Sequence, residues 1–236
     1  MPASEYGGLE VSLLIEMALP LKQELEDLKD DLLLMASKAS ASVAKAVEAI
    51  DKRDDQLALE VESDDTEIDR MEIEIDKKSI NLLAKAPLAR DLRLIIIALK
   101  ICTDLERIGD EATTIARRAQ ALNDFPASDH VEEIREMATT ALEMIDAAIK
   151  SFAHEMPEEA KEVIPRDKVV DRFNKAMRVT LTEEMQRDST HIPRSLDLMV
   201  VSKSIERIAD HAKNIAEEVV YLFQAVDIRH RNLTDS

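Results

Sequence analysis

Apolar residues recur at helical intervals over long stretches of this chain, and short polar breaks separate the stretches. The first pattern runs from about Leu9 to Ile50, with Pro20 marking a first-turn position or a kink. "DKRDD" at 51–55 reads as a polar turn, and a second helix follows from about Gln56 to Lys85. Pro87 starts a third, which continues to about Leu122. "NDFPASDH" at 123–130 breaks the pattern with Asn, Pro and Ser and reads as a linker. The plan then restarts, with helices over about Val131–Glu155, Glu158–Asp188 and Pro193–Val226. Pro165 falls inside the fifth of these and should kink or restart it.

The two halves superimpose. "MASKASASVAKAVEAI" (35–50) lies over "MATTALEMIDAAIKSF" (137–152), and "DTEIDR" (65–70) lies over "DKVVDR" (167–172), both at an offset of 102. "LERIGDEATTIA" (105–116) lies over "IERIADHAKNIA" (205–216) at an offset of 100. Three successive helices agreeing at nearly one offset make a tandem repeat. The predicted architecture is all-α, two three-helix bundles of six long helices. Its parts are a tail over 1–8, a bundle over 9–122, the linker, a bundle over 131–228 and a tail over 229–236. In the third helices Leu105, Ile108, Ala112 and Ile115, and likewise Ile205, Ile208, Ala212 and Ile215, form the seam that faces the core. Gly109 and Ala209 are small enough to let a neighbouring helix come close, or are simply tolerated there.

Away from that seam, Glu106 and Asp110 stand about 40° apart on one helix face, as do Glu206 and Asp210. Like charges four apart cost roughly 0.2–0.5 kcal/mol in an isolated helix, so something should offset them. The middle helices add Asp65 and Asp69 in one half and Asp167 and Asp171 in the other. Glu72 and Asp76 extend the first set and have no acidic counterpart in the second half. If middle and last helices pack side by side, four carboxylates converge per half, as a hard, oxygen-ligated cation requires. Salt bridging is the rival reading. Arg70, Arg107, Arg172 and Arg207 each directly follow their acid, and adjacent helical residues do not face each other. Lys203 and Lys213, three residues from Glu206 and Asp210, are better placed.

Composition narrows the function. The chain has 236 residues and a net charge of −18, which disfavours nucleic acid as a partner. Three glycines, no tryptophan, two tyrosines and four phenylalanines suit helices rather than a β-sandwich. No basic-then-apolar leader is visible, and the apolar run "LIIIAL" (94–99) is too short to span a membrane, so a membrane role should go through partners. The single cysteine, Cys102, suits a reducing cytoplasm and a packing role. No Glu-x-x-His, phosphate loop or G-x-S-x-G is present, so no catalytic residues are assigned. His211 adjoins Asp210 but reads as a bystander, with Glu111 at its place in the first half.

The stretches "PLARDLRLIIIALKICTDLERIGDEA" (87–112) and "SIERIADHAKNIAEEVVY" (204–221), with "RH" at 229–230, make the chain resemble the PhoU family of accessory regulators of bacterial phosphate-specific transport. The resemblance implies two three-helix bundles, often in a homodimer, in the cytoplasm. It implies divalent metal or iron clusters on [ED]-x-x-x-D motifs, which fall on Glu106 and Asp110, Glu206 and Asp210, with Asp69, Asp171, Asp65 and Asp167 from the middle helices. It implies a non-enzymatic negative regulator that links the Pst transporter ATPase to the phosphate-sensing histidine kinase. A metal-dependent hydrolase using the carboxylates and a metal-free helical adaptor are the competing readings.

Overall fold

Helical periodicity becomes long helices in the computed structural model, which describes residues 6–85 and 88–228, with side chains from Pro20 onward. Helices α1 (Tyr6–Lys52), α2 (Asp55–Leu83) and α3 (Ala89–Asn123) form the first bundle. Helices α4 (Val131–Ala153), α5 (Pro157–Val163), α6 (Asp167–Arg187) and α7 (Ile192–Gln224) form the second. No strand occurs among the described residues. None of their helices is long and apolar enough to cross a membrane.

Two prolines act differently. Helix α1 continues through Pro20, so this residue is not a first-turn position. Pro165 sits in a single 3-10 turn, Ile164–Arg166, and α6 restarts directly after it. The fifth predicted helix is therefore two segments, because proline offers no N–H and clashes with the preceding turn. Pro87, residues 1–5 and the tail over 229–236 lie outside the described residues.

The aligned apolar positions form the core. Met35, Ala36, Ala39 and Ala46 are buried, and so are Met137, Ala138, Ala141 and Ala148. All eight seam positions of α3 and α7 are fully buried. Cys102 is buried beside Met35, its Sγ 3.7 Å from the Met35 sulfur, and burial pushes its thiol up to about 12. It packs as a small apolar group. At Gly109 an added Cβ would stand 3.1 Å from Ile68 Cδ1, so α2 and α3 do approach closely there.

The bundles join through α3 against α7 and α1 against α4. Arg93 Nη1 donates to the Leu222 carbonyl, Lys100 pairs with Glu218, and His211 meets Asp104. Arg207 pairs with Glu111, and Arg118 with Asp197. Numbers rise along α3 as they fall along α7, so the two helices run antiparallel. Ile108 and Ile208, equivalent in the repeat, lie between the Asp104 and Glu111 pairs. The halves therefore face each other about an approximate twofold.

Candidate functional site

The acid faces arise from helix packing. In each third helix the apolar seam is turned inward, and the acids lie beside it, toward the middle helix. Asp65 and Asp69 on α2 and Glu106 and Asp110 on α3 form one field. Burial raises the Asp65 carboxyl above its usual range, and the charges on Asp69 and Asp110 raise it further. Glu106 is pushed up to about 7 by burial, then by Asp110, with Glu72 and Asp69 adding to the rise and Arg107 opposing it. Glu72 rises through burial, Asp76 and Asp69. Each carboxylate makes its neighbours costlier to ionise.

Arg107 tempers that repulsion. Its Nε lies 3.3 Å from Glu106 Oε2 and its Nη1 3.1 Å from Asp110 Oδ2. The sequence argument that adjacent residues do not face each other fails here, because the long arginine stem lets the guanidinium fold back along the helix.

The second cluster draws in fewer acids and more lysines. Asp167 is buried; its Oδ2 accepts from Lys213 at 3.0 Å, and its Oδ1 is buried with no hydrogen-bond partner. Burial raises Asp210, and Asp167 and Glu206 add to this while Lys213 and Lys203 oppose it. Lys203 pairs with Glu206 as its spacing predicts, whereas Lys213 reaches across to Asp167. Asp171 is half-buried and lies 4.0 Å from Lys175. Arg207 turns away from Glu206 to Glu111 on α3.

An all-oxygen donor set with raised carboxyls and a buried unpartnered oxygen fits a hard cation. The acids are not already arranged as a cage: among the described residues no three His, Cys, Asp or Glu side chains stand ready to hold an ion. Sequence reasoning missed the seam between the halves. His211 Nδ1 lies 2.8 Å from Asp104 Oδ1 and belongs to that seam rather than to the acid cluster. The signal was the spacing of Lys100, Asp104, Glu111 and Arg118, which puts four charges on one stripe of α3.

Comparison with known proteins fixes the lineage. The PhoU domain matches residues 32–119 and again 134–219, one match in each bundle. The chain belongs to the PhoU family. The phosphate-specific transport system accessory protein PhoU homolog of Pseudomonas aeruginosa is 40% identical over 213 residues, covering 89% of this chain and 88% of that protein. The corresponding PhoU homolog of Aquifex aeolicus is 35% identical, covering 90% of this chain and 97% of that one. The crystal structure of PhoU from Pseudomonas aeruginosa matches with a TM-score of 0.84 at 39% identity, over 87% of this chain and 99% of that one. The phosphate transport system regulatory protein PhoU from Streptococcus pneumoniae matches with a TM-score of 0.82 at 25% identity, over 88% and 99%. The two-bundle PhoU architecture is thus the fold of this chain.

Proposed function

We propose that this protein is a non-enzymatic cytoplasmic regulator that restrains phosphate uptake and links the phosphate transporter ATPase to the phosphate-sensing histidine kinase. The observation that carries this reading is that both PhoU domains align with relatives named as accessory proteins of phosphate-specific transport, over nearly their whole length. Deleting its gene should switch on phosphate-starvation genes in phosphate-rich medium. Unchanged expression would overturn the reading.

The acid clusters are assigned to metal. Asp65, Asp69, Glu106 and Asp110 would hold a divalent or iron ion in the first half, and Asp167, Asp171, Glu206 and Asp210 in the second. A bound cation would offset the mutual repulsion of these carboxylates and tie the middle helix to the last in each bundle. Replacing both Glu106 and Asp110 by Ala should lower the metal content of protein purified without chelator. Equal metal per chain in variant and wild type would refute the assignment.

A metal-free adaptor is the second reading. It is favoured by Arg107, Lys203 and Lys213, which already sit on the acids. It requires that EDTA and Mn²⁺ leave the melting temperature unchanged, whereas an ion bound to the folded state raises it.

A further inference from the structure

The two repeats share one frame but carry opposite charge at one place in it. Between α6 and α7 lies a groove of about 310 Å³ lined by Asn174, Lys175, Arg178, Met199, Ser202, Lys203 and Glu206. Three cations gather there in a chain whose net charge is −18. At the repeat offsets, Asn174, Lys175 and Arg178 replace Glu72, Ile73 and Asp76, and Ser202 and Lys203 replace Cys102 and Thr103. The first half thus sets two acids where the second sets an amide and a guanidinium. The flanking apolar positions are kept, with Ile75 and Met177 buried alike.

The groups in the groove are arranged to donate. Ser202 Oγ donates to Asn174 Oδ1 at 2.8 Å, which orients that amide and leaves its NH₂ as a donor. Among the described residues Arg178 forms no ion pair and no side-chain hydrogen bond. Among the described residues exposed Lys175 pairs only with half-buried Asp171, at 4.0 Å, a long contact of the kind that contributes little. Glu206 is the one carboxylate on the wall, and Lys203 neutralises it. Met199 supplies an apolar wall.

We propose that this groove binds the phosphoryl group of a small molecule. Arg178 grips two of its oxygens in a fork, Lys175 acts as a point charge, the Asn174 amide donates a further hydrogen bond, and Lys203 stays on Glu206 and cancels its repulsion of the anion. A doubly charged phosphoryl group outcompetes the long Asp171 contact of Lys175. The groove borders the second acid cluster, sharing Glu206 with it and touching Asp171 through Lys175, so it is tested on full-length protein stripped of metal with EDTA and dialysed, where phosphate binding is read with no metal bound.

Inorganic phosphate, AMP and adenosine are titrated separately by calorimetry into wild type, Arg178→Gln, Lys150→Gln and a double variant that installs the first-half residues, Lys175→Ile with Arg178→Asp. Lys175 and Arg178 are exposed, so the variants should melt like wild type without ligand. Phosphate or AMP should bind wild type and Lys150→Gln alike. The double variant should lose roughly tenfold or more in affinity, and Arg178→Gln part of that. Equal binding of phosphate and AMP assigns the groove to the free anion. Tighter AMP assigns it to an organic phosphoester resting on Met199. The proposal is overturned if neither phosphate nor AMP binds wild type, if adenosine binds as tightly as AMP, or if the double variant keeps wild-type affinity.

Discussion

Glu106 is the most strongly perturbed carboxyl of the first cluster. Folding raises its pKa from 4.5 to about 7, so the folded chain holds that proton more tightly than the unfolded one. The stabilisation is complete below about pH 4.5 and is lost as pH climbs through about 7. Metal-free Glu106→Gln, neutral at every pH, should therefore match wild type near pH 4.5. Above pH 7 it should be more stable by the order of 1 kcal/mol, a figure reduced for the solvent that screens the site. Urea unfolding across that range checks it, and a gain of the same size at pH 4.5 would refute the electrostatic account. Gly109 makes a steric prediction. Gly109→Ala should be close to neutral, since the gain in helix propensity offsets a Cβ 3.1 Å from Ile68 Cδ1. Gly109→Val should destabilise by about 1–3 kcal/mol through overpacking, read by the same unfolding measurement.

At the scale of elements, local chemistry sets the ends of the helices. Asp54 caps α2, its Oδ1 accepting from Gln56 N at 2.9 Å and Leu57 N at 3.2 Å. Asp54→Ala should cost about 1 kcal/mol in thermal or chemical unfolding. Before it, Arg53 takes a left-handed φ of 55° and reaches across to the carbonyls of Asn123 and Phe125, fastening the interbundle loop to the first turn of the chain. Helices of this kind are legible in sequence because burial imposes a period. The buried positions of α3 and α7 are readable in the sequence from the spacing of Leu105, Ile205 and their companions. Pro165 was readable too, since proline acts on the helix that contains it. What could not be read depends on reach and on crossing. Arg107 folds back onto Glu106 because of its stem length, and Lys213 passes its near neighbour Asp210 for Asp167 because α6 comes close. Glu111, Asp104 and His211 look like ordinary surface charges until α3 is laid antiparallel on α7.

At the scale of the whole molecule, the repeat closes on itself about Ile108 and Ile208 and leaves charged pairs along both flanks of the seam. Arg118 and Asp197 lie 3.1 Å apart, with only 16% of the Asp197 side chain exposed. A double-mutant cycle on Arg118→Ala and Asp197→Ala should give a coupling of about 1 kcal/mol that shrinks as salt is added. A coupling near zero at low salt would show that the crossing is held by apolar contact alone. The seam also changes what the connecting loop is for. Pro126 and Ala127 stand exposed between two bundles that already grip each other through α3 with α7 and α1 with α4. A protease that clips the chain there should produce two fragments that still elute from a sizing column as one particle and separate only in denaturant. The covalent joint would then be a convenience of synthesis, and the halves could be made as two polypeptides and reassembled.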